Sequence, residues 1–384
     1  MDFAPTHDQR LMVDAARRMV ANDLAPLLAR QAPDAPLPKE VAHAILRHCA
    51  TLGITAARVP EEGGGAGMKL LDYGLVTEQL PLVVASVLQP QETTIARLYH
   101  GSTPAQRERF LPSLIAGDWI TCTATTEPDV GSDPRGVRTR LTRDGDWLVL
   151  NGNKQWISNA SIADVINVTC RTEGGEPGRD LTRVVVVRAE SPFVTREIDV
   201  IGMHQNHLAE VVFDQCRVPA DNALGNSGDA ARVLTLTWLA NRPLIGLSAV
   251  HMAQRALDMA CEYAGTRRQF GKLIGGYQIV QQDLADIQTL VVSSRLLCYN
   301  ALAALDRGER ANGLSAMAKR YATESCDRAI ALAMRVHGAM GLSREMELER
   351  LARDVRMLSI PDGTPGILTL IQGRELTGID PFRS

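Results

Sequence analysis

Residues Thr121–Asp133 read TCTATTEPDVGSD, and the chain changes character at this stretch. Thr121, Thr123, Thr125 and Thr126 are β-branched, which suits an extended strand whose hydroxyls face a ligand. Glu127-Pro128 stops the strand, because proline lacks a donor and fixes φ. Gly131 and Ser132 then permit a tight loop that offers a backbone N–H and a hydroxyl. Small donors running into such a loop suit a flat polar heterocycle with an anionic tail. A Thr-rich edge strand followed by a turn is the plainer reading of the same residues.

Upstream, the pattern is helical. Thr6-His7-Asp8-Gln9 reads as a capping box, and Leu11, Ala15 and Met19 recur at helical spacing behind it. Val41, Ile45, Cys49 and Leu52 repeat that spacing, with Gly53 placed as a C′ residue. Thr103-Pro104-x-Gln106 opens another helix, which Gly117 ends. The glycine-rich run Val59–Gly67 lacks the Lys-Ser/Thr of a phosphate loop and reads as an interhelical connection. Gln89–Thr94 is polar, as a solvated loop or a polar ligand pocket would be.

Downstream, apolar residues alternate. Asp144-Gly145 and Asn151-Gly152 are hairpin dipeptides. Trp147–Leu150, Val165–Cys170, Arg183–Arg188 and Val211–Phe213 read as strands of a small barrel or sandwich. Helical periodicity returns over Asp229–Arg267 and Tyr277–Asp306, and Asn312 can cap a third long helix toward Val336, the pattern of a bundle. The expected division is residues 1–118 all-α, 119–228 a β-barrel, and 229–384 a four-helix bundle, an α+β multi-domain chain.

Composition excludes several classes. The chain has 384 residues, 45% apolar and 22% charged, with a formal net charge of −3, so no basic footprint for nucleic acid or anionic membrane is present. The seven cysteines form no C-x-x-C pair, as befits reduced thiols. The first residues lack a basic segment followed by an apolar one, no apolar run reaches spanning length, and the expected location is cytoplasmic. His204-x-x-His207 has no third ligand nearby, so no metal is expected there.

The TEPDVGSD string closely resembles the T-E-P-x-x-G-S-D signature of the acyl-CoA dehydrogenases, FAD enzymes that oxidise acyl thioesters between the α and β carbons. Further collinear segments resemble the same family. Trp156-Ile157-Ser158-Asn159 is similar to its W-I-T-N. That resemblance implies flavin contacts from Thr123, Thr125, Thr126, Ser132, Trp156 and Ser158, with serine replacing threonine at 158. Arg267-Arg268-Gln269-Phe270-Gly271 with Gln278 resembles R-x-x-F-G…Q, which implies FAD pyrophosphate contacts from Arg267, Gln269, Phe270 and Gln278 across a subunit boundary. A guanidinium fork matches diphosphate oxygens, which gives the role a chemical basis. Arg335-Val336-His337-Gly338-Ala339-Met340-Gly341 resembles Q-V-H-G-G-x-G, so Arg335, Gly338 and Ala339 are expected at the adenosine end. Arg335 replaces glutamine there and Ala339 replaces glycine.

The catalytic carboxylate is sought in Ser359-Ile360-Pro361-Asp362-Gly363-Thr364-Pro365-Gly366, where most relatives read Y-E-G-T. The alternative family position holds Asn241, and an amide is no base. Asp362 is therefore the expected general base, shorter than glutamate by one C–C bond of about 1.5 Å. The shorter arm implies either a slower reaction or a bulkier acyl group brought closer. Arg242, Ser132, Pro361 and Gly363 join Asp362 as expected substrate contacts, and Thr364 and Gly366 start a helix suited to a phosphate. Leu239 replaces the usual acidic residue near the pantetheine, which leaves acyl-CoA or an acyl-carrier thioester as the substrate. The resemblance further implies a homotetramer, a dimer of dimers, that passes electrons to an electron-transfer flavoprotein. Enoyl-thioester reduction, a flavin monooxygenase or oxidase reaction, and non-catalytic FAD or thioester binding are the competing readings.

Overall fold

Thr6 accepts from the Gln9 amide and Gln9 reaches back to the Thr6 N–H, so the capping box starts α1 (His7–Met19) where the sequence predicts it. The computed structural model describes residues 4–174, 180–225 and 229–382. The buried stripe of α1 is shifted by one from the expected Leu11/Ala15/Met19. Ala16 and Met19 are buried and Met12 packs beside them, while Leu11 is exposed. A short α2 (Ala25–Leu28) follows, then α3 (Lys39–Thr51), which Gly53 closes at φ 70°. Next come α4 (Leu70–Thr77), α5 (Leu82–Gly101) and α6 (Pro104–Ile115), the last with its own Thr103/Gln106 capping box.

Gln89–Thr94 is no loop. It lies inside α5, and Gln91, Glu92, Thr93 and Thr94 are all buried. Polarity in this segment marks internal partners, not solvent.

The middle of the chain forms one eight-stranded sheet from β1 (Thr121–Ala124), β2 (Arg140–Asp144), β3 (Trp147–Ser158), β4 (Val165–Thr172), β5 (Leu181–Val187), β6 (Val194–Glu197), β7 (Leu208–Pro219) and β8 (Ala223–Leu224). Its order is β6-β7-β3-β2-β4-β5-β8, with β1 added parallel to β4. Asp144↔Trp147 closes the first expected hairpin. Asn151-Gly152, expected to turn, instead sits within β3 at a register shift against β7. Gly152 has φ 149°, and a Cβ there would come within 2.6 Å of Thr139 Oγ1, so glycine serves a bulge and a close strand approach.

The C-terminal part comprises α7 (Asp229–Thr266), a β9–β10 hairpin (Arg268–Gln269 with Lys272–Leu273), α8 (Gln278–Asp306), α9 (Asn312–His337), α10 (Leu348–Met357) and α11 (Pro365–Thr377). Helices α7, α8 and α9 pack on one another, with α11 and α10 against α9. Gly246 lets α7 approach closely, since a Cβ there would meet Cys298 Sγ at 2.6 Å. Although α7 is long and apolar enough for a membrane helix, 72% of its apolar window is buried in this core. One hydrophobic cluster joins Ile45, Leu46, Tyr73 and Leu80 to Leu247, Leu302 and Ala322, so the first helices and the bundle share a core. Each fully buried Leu or Ile there contributes about 1.5–3 kcal/mol.

Asn312 is the first residue of α9 and not its cap; its Oδ1 accepts from Arg242 at 2.9 Å. Pro243 removes the N–H that would bond the Leu239 carbonyl, and Ser315 Oγ supplies the missing donor at 2.6 Å.

Candidate active site

Asp362 lies between α10 and α11 at φ 53°, followed by Gly363 at φ 115°. A non-glycine residue in the left-handed region costs energy and persists only where its surroundings hold it. Two buried cations do the holding. Lys319 Nζ, on α9, donates to the carbonyls of Ser359 at 3.1 Å, Gly363 at 2.7 Å and Pro361. Arg242 Nε, on α7, donates to the Asp362 carbonyl at 3.0 Å. The Asp362 backbone is thus pinned, while its half-buried carboxylate makes no hydrogen bond or ion pair among the described residues.

Asp362 shares its surroundings with Arg58, Arg97, Arg242 and Lys319, each of which feels its charge. Burial pulls Lys319 down to about 7, with Asp362 opposing and Arg242 reinforcing that fall. Burial also lowers Arg97 to about 10, so it stays cationic at neutral pH. Arg58 differs: burial works against its charge, but the Glu92 carboxylate outweighs it and the net shift is upward.

Above this loop the α5–α7 crossing is polar. Arg58 Nε meets both Glu92 oxygens at 2.8 and 2.9 Å, and its Nη2 donates to Thr93 Oγ1 at 3.1 Å. Thr93 Oγ1 in turn donates a hydrogen bond to Asn241 Oδ1 at 3.2 Å. One turn further along both helices, Arg97 Nε donates to Thr237 Oγ1 at 2.8 Å. None of Arg58, Glu92, Arg97 or Lys319 stands out in the sequence. The polarity of Gln89–Thr94 is the one available signal, and it points to Glu92 only once that segment is known to be helical.

At the sheet, Thr123 Oγ1 pairs with Thr94 Oγ1 at 2.9 Å and Thr125 Oγ1 with Thr169 Oγ1 at 2.9 Å. These two expected cofactor hydroxyls therefore already have protein partners. Thr126 and Ser158 make no side-chain hydrogen bond among the described residues, and Ser132 sits exposed on its loop. Trp156 stands in a second β3 bulge at φ 61°, with the residue 50% exposed. A large indole held half in solvent by a strained backbone suits stacking on a flat ligand. Glu127 belongs to the architecture: it accepts from Thr139 N at 2.9 Å and from buried Lys154 Nζ at 2.8 Å.

Arg267, Gln269, Phe270, Gln278, Arg335, Gly338 and Ala339 lie at one end of the bundle, where α7 and α9 finish and α8 begins, whereas Thr364 and Gly366 follow the Asp362 loop. Phe270 and Gly271, at φ 48° and 80°, make the two-residue turn of the β9–β10 hairpin and leave Phe270 95% exposed. Arg267 and Gln278 flank this hairpin, exposed, with no side-chain partner among the described residues. Gln269 donates to its neighbour's carbonyl at 2.7 Å. Arg335 is different. Its guanidinium clamps Asp283 of α8, with Nε at 3.0 Å, so the group expected to meet adenosine is engaged within the chain. Gly338, Ala339, Thr364 and Gly366 are solvent-accessible, and nothing lies within 4 Å of where a Cβ would sit on Gly338 or Gly366. His207 is bound to Glu197 and the Leu37 carbonyl and His204 to the Val200 carbonyl; among the described residues no three ligating side chains gather for a metal.

The chain thus comprises a helical part, a β-sheet and a helical bundle, with an unpaired carboxylate at Asp362 between α10 and α11. Acyl-CoA dehydrogenase N-terminal, middle and C-terminal domains match residues 6–118, 122–216 and 231–377 respectively. Cyclohex-1-ene-1-carbonyl-CoA dehydrogenase of Geobacter metallireducens is 34% identical over 97% of this chain and 98% of its own. Butyryl-CoA dehydrogenase from Megasphaera elsdenii superposes with a TM-score of 0.91, at 30% identity, over 98% of this chain and 100% of the other. A glutaryl-CoA dehydrogenase from Mycobacterium smegmatis, solved with FADH2, gives 0.89 at 27% identity over 99% and 97%. The chain belongs to the acyl-CoA dehydrogenase family, and the family's cofactor is FAD.

Proposed function

We propose that this protein dehydrogenates an acyl thioester between Cα and Cβ, with Asp362 as the base that removes the α-proton. The observation that carries the proposal is the Asp362 carboxylate, unpartnered on a loop whose backbone is fixed by Arg242 and Lys319. A base must be positioned yet free to accept, and this arrangement meets both needs. The Asp362 backbone N–H is available to polarise the thioester carbonyl, which acidifies the α-proton.

The residues present fit FAD. Trp156 offers a flat half-exposed face, Thr126 and Ser158 offer unengaged hydroxyls, and Arg267 offers a guanidinium with no carboxylate on it. When bound, FAD would supply the two-electron oxidising chemistry that the removal of hydrogen from Cβ requires. An electron-transfer flavoprotein as acceptor and a homotetramer rest on the family resemblance.

Anaerobic titration of the FAD-loaded protein with a thioester panel tests the reaction. Asp362→Asn should keep FAD but slow flavin reduction by about 10²–10⁴-fold, while Asp362→Glu keeps activity. Reduction of the asparagine variant at the parent rate would remove Asp362 from the mechanism.

A further inference from the structure

The cations near Asp362 are not equivalent. Arg58 is neutralised by Glu92, Lys319 serves three carbonyls, and Arg242 serves the Asp362 carbonyl and Asn312. Arg97 is left over. It is only 6% exposed, its Nε meets the Thr237 hydroxyl, and among the described residues Nη1 and Nη2 donate to nothing. A guanidinium carries five N–H donors in a fork that matches a carboxylate, so a buried fork with both ends free is poised for one. Its position is also specific. Arg97 lies one helical turn beyond Thr93 and contacts Thr237 across the α5–α7 crossing, one turn from the Asn241 that Thr93 bonds, and within the field of Asp362.

An alkyl tail entering here would bury Arg97 still further and give its donors nothing, a penalty that selects against plain acyl chains. A carboxylated tail would satisfy the fork and cancel the excess positive charge in one step. We propose that the acyl portion of the substrate carries a carboxylate, which Arg97 receives in a bidentate pair while Asp362 works on the α-carbon. This inference rests on the dehydrogenase reading for its choice of a thioester, but it makes a separate claim about binding.

The test compares CoA thioesters of matched chain length ending in methyl, carboxamide or carboxylate. Each is titrated into the FAD-loaded protein by calorimetry and, separately, scored for flavin bleaching. The parent should bind the carboxylated thioester about 10–100-fold more tightly than the methyl one, the usual penalty for leaving a buried polar group unpaired. Arg97→Met should abolish that preference and Arg97→Lys should restore part of it. Equal or tighter binding of the methyl thioester by the parent overturns the proposal, even where that thioester bleaches the flavin and so upholds the dehydrogenase reading. Preference for the carboxylate without bleaching by any thioester upholds the role of Arg97 and defeats the dehydrogenase reading instead. An Arg97→Met protein that melts earlier yet keeps the preference makes Arg97 a clamp between two helices, which overturns the proposal as well.

Discussion

Lys154, on strand β3, and Lys319, beneath the Asp362 loop, are both fully buried, yet only Lys154 has a carboxylate in contact. Lys154 bonds Glu127 and the Thr125 carbonyl, and Glu127 in turn collects donors from Arg138 and Thr139, so the charge is cancelled within the protein. Lys319 has only carbonyl dipoles in contact and a carboxylate nearby. The same contrast appears at the surface, where Arg335 is paired with Asp283 and Arg267 with nothing among the described residues. Paired cations build the frame. Lys319, Arg97 and Arg267 lie without a carboxylate in contact where a ligand is expected, whereas Arg183, fully buried on β5, has only the Arg97 carbonyl among the described residues.

Breaking the paired member should cost the most stability. Lys154→Met leaves Glu127 buried and uncompensated, so urea unfolding should report a loss of about 3–5 kcal/mol. A loss below the noise would mean that Thr139 and Arg138 alone carry Glu127, and the contrast would collapse. The unpaired surface cation should matter to ligand and not to fold. Arg267→Ala should weaken FAD by about 1.5–3 kcal/mol, read by fluorescence titration, with an unchanged unfolding midpoint.

Lys319 sharpens the comparison through pH. Its folded value, about 7, lies below its ordinary 10.5, so the folded protein binds fewer protons than the unfolded chain between those limits. The burial penalty is complete below about 7 and is relieved as pH climbs toward 10.5. Stability relative to Lys319→Met should therefore rise across that window, by up to about 1.4 kcal/mol per pH unit. The neutral amine has fewer N–H groups than the three carbonyls it must serve, so the Asp362 loop should loosen over the same range. A pH-independent difference would place Lys319 with the paired cations. The smallest effect belongs to Arg335→Gln, where an exposed arginine pairs with a buried Asp283 that the glutamine amide can still bond: the melting temperature should fall only slightly while FAD affinity shifts. Unchanged affinity would make the departure from the family's glutamine neutral.

Much of the frame was legible before any tertiary contact was known. Both capping boxes start helices where Thr6/Gln9 and Thr103/Gln106 predict them, because each satisfies donors within three residues of itself. The Asp144-Gly145 hairpin was legible for the same reason. Asn151-Gly152 carries an equally good turn signal and became a bulge, since β7 pairs along both sides of it and Thr139 needs the space. Asn312 has a capping side chain, but Arg242 claims it from another helix. Of the candidate site, the strand hydroxyls, the indole, Asp362 and Arg242 were found from motifs; Arg58, Arg97 and Lys319 were not.

The sequence by itself therefore determined the order of helical, sheet and helical parts, the family, and which carboxylate, Asp362, the family motif offers as the proposed base. Those features depend on periodicity, caps and short strings, all written within a few neighbouring residues. Tertiary structure alone decided which charges are paired. Arg58 finds Glu92 34 residues away, Arg242 finds Asp362 120 away, and the Arg97 side chain finds only Thr237 among the described residues, 140 away. Residue type gives a charge, but its partner is fixed by which helices cross, and the crossing is set by packing of the whole core.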